Sequence, residues 1–178
     1  MKRKINHYLI IDGYNIINAW GDLKKISVDD LDGAREKLID IIIEYAEFSG
    51  QKAIVVFDAY NVKNSMEKVE KRKYITVVYT KEHQTADSYI EKFITSLSKY
   101  DVVKVATNDY AEQQIVLGKG ASRVSARELK LDIEEAKTKI KSKQVNSERK
   151  IQRNWLEDRL DKETLSKLEN IRRNRWKY

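Results

Sequence analysis

The chain of 178 residues has no cysteine and no proline, and it has only six glycines and two histidines. Without cysteine there can be no disulfide and no thiolate metal site. His7 and His83 are too few to build a zinc cage, so any metal must be held by oxygen atoms. Without proline, no position in a helical segment is forced to break. Long apolar runs are missing as well. The basic start, residues 1–6, leads into an apolar stretch that Asp12 interrupts, too short for a secretory signal or a membrane span. These absences predict a cytoplasmic globular protein with one ordinary core and room for an appended helical tail.

What is plentiful is charge, and it is unevenly placed. Residues 1–136 hold 21 lysines and arginines against 22 acidic residues; residues 137–178 hold 14 against six, a balance of +8. A near-neutral body with a strongly basic end predicts a polyanionic partner, RNA, where the plainer reading is a solvated helical surface. Within that end, Arg149, Lys150, Arg153, Arg159, Arg172, Arg173, Arg175 and Lys177 interleave with Trp155 and Trp176. Arginine grips a nucleic-acid backbone and tryptophan stacks on bases. Leu156, Leu160, Leu165, Leu168 and Ile171 are expected to pack inward instead.

Short apolar runs at 8–11, 53–57, 74–79 and 102–106 read as buried strands. Residues 31–48 and 86–98 carry apolar side chains at helical spacing, with Gly50 as a stop and Thr85 as an N-cap. The lysine-rich stretch 60–73 has no clear period and reads as a loop or short helix. A helix is expected over 110–117, and Ser122-Arg123-Val124 offers a short edge strand. From Ser125 onward the pattern is helical, with a turn expected at 144–147 and a last helix from Asp161 to about Trp176. Strands alternating with helices predict an α/β fold with a mostly parallel sheet of four to five strands. Residues 1–135 are read as this domain and 136–178 as a basic helical extension.

Four aspartates stand at the ends of these elements. Asp12 and Asp58 close the first and second strands, Asp109 follows the fourth, and Asp87 lies in the first turn of the helix after the third. Parallel strands end on a common edge, where open α/β sheets build their sites. Carboxylates converging there repel one another unless a hard divalent cation such as Mg²⁺ or Mn²⁺ sits between them. Such a site suits phosphodiester hydrolysis, which needs an activated water and charge neutralisation. Taken singly, each aspartate could equally be a turn former or a helix cap. Asn15, Thr107 and Asn108 are polar neighbours able to orient water or phosphate, or to satisfy the loop backbone.

Other motifs are absent or weak. Gly118-Lys119-Gly120 lacks the third glycine of a dinucleotide fingerprint, and there is no Walker loop, so no nucleotide cofactor is expected. Asp12-Gly13-Tyr14 lacks the second aspartate of aspartyl-phosphate phosphatases. His83 beside Glu82 reads as an idle surface histidine. Arg123 and Arg127 either reach phosphate near the acidic edge or belong to the cap of the next helix.

The ordered set Asp12-Gly13-Tyr14-Asn15, Val56-Phe57-Asp58-Ala59, Thr80-Lys81-Glu82 with Thr85-Ala86-Asp87, Thr107-Asn108-Asp109-Tyr110, and Gly120-Ala121 with Ser125-Ala126-Arg127-Glu128-Leu129 resembles the YacP-like NYN domain proteins of the PIN-like nuclease superfamily. That family includes a bacterial ribosome-associated endoribonuclease. The resemblance runs from about residue 8 to about 130 and implies a PIN-like three-layer fold with an acidic Mg²⁺ site. It implies endoribonuclease action on mRNA within translating ribosomes. By motif position, Asp12, Asp87 and Asp109 would bind metal with Asp58 as a catalytic fourth, and Glu82 would join Asn15, Thr107 and Asn108 as an auxiliary group. Lys81, Arg123, Arg127, Arg149, Lys150, Arg153, Arg172 and Arg173 are the expected RNA contacts. The competing expectations are a nuclease for free structured RNA in tRNA or rRNA maturation, a non-catalytic ribosome- or RNA-binding module, and a small-phosphoester hydrolase.

Overall fold

The computed structural model describes residues 5–58, 66–109 and 120–157, with Gly118, Thr164, Lys167 and Asn170; of the side chains of 143–157 nothing is described. The elements follow in the order β1 (His7–Asp12), α1 (Gly13–Ala19), α2 (Gly21–Asp29), α3 (Leu31–Ser49), β2 (Lys52–Phe57), β3 (Lys68–Arg72), β4 (Ile75–Tyr79), α4 (Ala86–Ser96), β5 (Val102–Ala106), β6 (Ser122–Val124) and α5 (Ala126–Glu157). The sheet order is β3-β4-β2-β1-β5-β6. All neighbours are parallel except β3 with β4. The helix expected over 110–117 lies outside the described residues.

The apolar runs become strands because both faces of the sheet are covered. Leu9, Ile11, Val55, Phe57 and Val77 point to one face, against Ile16, Ile17, Leu38, Ile42 and Leu129. Ile10, Ile54, Val56, Val78 and Val105 point to the other, against Ile90 and Ile94 of α4. Side chains alternate along a strand, so a run buried on both sides must be apolar throughout. The result is a three-layer α/β fold. Gly50, at φ 69°, ends α3 in the left-handed conformation that glycine adopts without cost.

Three expectations need correction. The sheet has six strands rather than four to five, because Lys68–Arg72, read as part of a loop or short helix, pairs antiparallel with β4. Its sequence, Lys-Val-Glu-Lys-Arg, carries the charge that protects an exposed edge and so hides the strand pattern. Ion pairs join Arg72 to Glu36 at 2.5 Å and to Glu70 at 3.0 Å. Secondly, α1 and α2 occupy residues 13–29, where no element was expected; Ile16, Ile17, Trp20 and Leu23 are their buried side. Thirdly, the turn expected at 144–147 is absent, and α5 runs through it. The apolar pattern lapses there, but no proline or glycine interrupts 126–157 and nothing breaks the backbone ladder.

The chain divides into two compact units, Met1–Lys137 and Thr138–Tyr178. Among the described residues no helix is long and apolar enough to cross a membrane.

Candidate active site

The parallel strands β1, β2, β4 and β5 deliver their carboxyl ends to one edge. Asp12 is the last residue of β1 and also the N-cap of α1, its Oδ1 accepting the N–H of Asn15 at 3.1 Å. Asp58 follows β2 directly and is half-buried. Asp87 stands in the first turn of α4, which Thr85 caps by accepting the N–H of Ser88 at 3.2 Å. Asp109 follows β5, its N–H donated to Thr107 Oγ1 at 3.0 Å.

These carboxylates feel one another. Burial pushes Asp12 up from 3.8 to about 6; the Asn15 N–H pulls the other way, and Asp87 and Asp58 push it further up. Burial also raises Asp87, with Asp109 and Asp58 adding repulsion. All four aspartates therefore share one electrostatic neighbourhood. Among the described residues, no three acidic or histidine side chains close around a single point as a ready-made metal cage. Mg²⁺ is commonly held by one or two carboxylates with water completing its shell. An oxygen-only set that is short of positive charge fits such an ion.

The auxiliary residues divide. Asn15 Oδ1 accepts the N–H of Asn108 at 2.9 Å, and Asn108 Oδ1 accepts the N–H of Ala126 at 3.0 Å. Thr107 is fully buried. All three hold loop backbone beside the acidic edge. Glu82 sits in the turn before α4 with its carboxylate 3.5 Å from His83 Nε2. Lys81 is exposed in the same turn. Arg123 donates from Nε to Thr107 C=O at 3.4 Å, which brings it to the loop that carries Asp109. Arg127 is exposed in the first turn of α5, where Ser125 and Glu128 form a reciprocal cap. Arg149, Lys150 and Arg153 belong to the part of α5 whose side chains are not described; Arg172, Arg173 and Trp176 lie outside the described residues, and so does the side chain of Trp155.

Sequence reasoning missed Arg35. Its guanidinium donates to Asp32 and to the Tyr14 hydroxyl, and lies 5.2 Å from the Tyr14 ring centre and 5.9 Å from that of Phe57. Tyr14 meets Phe57 edge-on, and Phe57 stacks on Tyr79. Arg35 thus braces the residues just after Asp12 and just before Asp58. The available signal was its place on the helical stripe continued by Ile39, Ile42 and Ala46, where a solvated arginine is out of character.

A family model, the YacP-like NYN domain, matches residues 9–173. The protein YacP of Bacillus subtilis (strain 168), described as uncharacterized, is 42% identical over 133 residues, 74% of this chain and 78% of that one. A crystal structure of Rae1 (YacP) from Bacillus subtilis is similar with a TM-score of 0.68 at 37% identity, covering 96% of this chain and 95% of that one. A tryptophan-to-leucine mutant of the same protein gives a TM-score of 0.66 at 37% identity, over 79% and 83% of the two chains. NYN nucleases, which share the PIN-like fold, generally depend on divalent metal ions. With the family model spanning nearly the whole chain and the same fold in its relatives, the chain belongs to the YacP-like NYN domain family and is, with that family, an endoribonuclease.

Proposed function

We propose that the chain cuts mRNA on translating ribosomes, by hydrolysis at the acidic sheet edge with Mg²⁺ or Mn²⁺ as cofactor. The observation that carries this reading is the convergence of Asp12, Asp58, Asp87 and Asp109 on that edge, at the ends of β1, β2 and β5 and the start of α4. Asp12, Asp87 and Asp109 would hold the ion, with Asp58 in support from the neighbouring strand. When bound, the ion supplies charge neutralisation at the phosphate and lowers the pKa of a water. The chain's own residues do the rest. Asn15, Thr107 and Asn108 fix the loop that carries Asp109. Arg123 and Arg127 stand at the β6–α5 junction, and guanidinium groups suit phosphate geometry. Lys81 adds charge in the turn before α4. The basic end, with Arg149, Lys150, Arg153, Arg172 and Arg173, supplies a salt-sensitive attraction to RNA or ribosome. Action on ribosomes would make the protein cytoplasmic.

The test is side by side. Purified protein with Mg²⁺ or Mn²⁺ is given naked mRNA and the same mRNA on translating ribosomes, alongside Asp12→Asn and Asp87→Asn. Cuts on ribosomes only, absent in both variants, are the expected result. Equal cutting of naked RNA would favour the maturation nuclease. No cutting on either, with folded protein and active translation, would leave a binding module.

A further inference from the structure

We infer that a cleft beside α4 is a base-recognition subsite for the RNA strand, selective for a base that presents an exocyclic amino group. This rests on the reading of RNA as substrate. After β4 the chain turns sharply before entering α4. Gln84 N–H closes that turn on Lys81 C=O at 3.0 Å. His83, inside it, has φ 63°, a left-handed conformation that is strained for a residue with a side chain. The turn carries Gln84 inward until only 7% of it is exposed. There its Oε1 is buried without a hydrogen-bond partner. A buried carbonyl oxygen left unpaired costs stability that leucine or methionine at this position would not. Strain and an orphaned acceptor in adjacent residues mark a place where the partner arrives from outside.

Gln84 lines a cleft of about 280 Å³, at the small end for ligand sites and of a size for a single base. One wall is Tyr89 and Phe93, half-buried on α4, with rings stacked at 6.4 Å and 12°. Lys81 and Lys92 are exposed around it, and Glu67, the residue before β3, lines it as well. Aromatic faces take bases of any kind, and lysines take the backbone. The selective groups are Gln84 Oε1 and the Glu67 carboxylate. Both accept hydrogen bonds, so both favour adenine, cytosine or guanine, whose amino groups donate, over uracil, whose one donor on the pairing edge, N3–H, is flanked by two carbonyl oxygens that these acceptors repel. A carboxylate in the wall also disfavours a bare phosphate. The position suits a strand passing the acidic edge. The turn leaves the carboxyl end of β4, two strands from β1 in the sheet order, and two strand spacings are roughly 10 Å. Asp87 stands on the opposite flank of the same helix.

The experiment is equilibrium binding of fluorescent oligo(A), oligo(C) and oligo(U) of equal length to the full chain, at fixed salt and without divalent metal so that nothing is cut. Wild type should prefer oligo(A) and oligo(C) to oligo(U) by about tenfold. Gln84→Leu should melt no lower than wild type, and should bind all three within about twofold of one another. Lys92→Gln should weaken all three equally. Base-blind binding by wild type overturns the inference, as does Gln84→Leu keeping the preference or melting well below wild type. RNA cleavage, read separately with Mg²⁺, keeps the two readings apart. Cleavage with base-blind binding removes only the subsite; base preference without cleavage, on ribosomes or off, supports the subsite and removes the proposed reaction. No binding to any of the three removes the subsite and its RNA premise together.

Discussion

The side-chain oxygen of Asn15 accepts the backbone N–H of Asn108 at 2.9 Å, across 93 residues of sequence. Asn108 passes the tie on to Ala126, whose C=O is held in turn by Trp20 Nε1 at 2.8 Å. The start of α1, the loop after β5 and the start of α5 are thereby locked to one another. Asp109 is the next residue after the middle link, so this relay holds the backbone that carries it.

Replacing Asn15 by leucine removes the first acceptor. Asn108 is exposed, so its N–H can turn to water and stability should fall by only about 1 kcal/mol. Activity should fall further, about tenfold in kcat with KM little changed, because small misplacements of a reacting group are expensive. Steady-state cleavage kinetics with a parallel thermal melt separate the two effects. Wild-type kcat in a variant with a lowered Tm would show that the tie is structural only.

Asp12 makes a prediction of opposite sign for stability and activity. Its folded-state pKa of about 6 lies above the ordinary 3.8. The metal-free folded protein therefore carries the full cost of this charge above pH 6, loses that cost as pH falls toward 3.8, and is free of it below. The upper bound on that cost is about 3 kcal/mol. Asp12→Asn keeps an oxygen for the Asn15 N–H and removes the charge. In EDTA it should melt higher than wild type at pH 7.5, with the gap closing toward pH 4, while RNA cleavage is lost. A variant that melts lower than wild type at pH 7.5 would mean that Asp12 is not under electrostatic pressure.

The positions of Asp12, Asp58 and Asp109 were legible because each follows a short apolar run, and runs buried on both sheet faces end where the chain emerges at the edge; Asp87 was legible from the helix that Thr85 caps. The strand β3 was hidden because an edge strand can be charged along its length. Arg35 and Gln84 were hidden for another reason. Arg35 gains its meaning from Tyr14 and Phe57, brought to it by tertiary packing. Gln84 gains its own from the conformation of His83, and nothing in the dipeptide announces a left-handed turn. Contacts of that kind depend on how elements are laid together, and local pattern does not carry them.

Gly13 directly follows Asp12, and a Cβ built there would lie 2.3 Å and 2.5 Å from the Phe57 ring. Phe57 is fully buried between Tyr14 and Tyr79 and directly precedes Asp58. Gly13→Ala must therefore displace the ring and with it the end of β2. Overpacking of this sort costs about 1–3 kcal/mol. Cleavage should fall along with stability, since Asp12 and Asp58 flank the collision. Phe57→Leu in the alanine background should restore part of the lost Tm by making room. If Gly13→Ala melts and cuts like wild type, the ring has another place to go.

A divalent cation and a proton compete for Asp12, so metal binding should be pH-dependent in a stated direction. At pH 7.5, above its pKa of about 6, the carboxylate is charged and available; at pH 5 it is mostly protonated. Mg²⁺ at ten times its dissociation constant stabilises a folded protein by about 1.4 kcal/mol, which raises the Tm of a chain this size by roughly 3–6 °C. That rise should be seen at pH 7.5, be much reduced at pH 5, and be absent in Asp87→Asn and Asp109→Asn at either pH. EDTA should stop RNA cleavage, and Mg²⁺ or Mn²⁺ should restore it. An equal rise at both pH values, or a full rise in either variant, would move the ion away from this edge, and the four aspartates would then need a different partner for their charge.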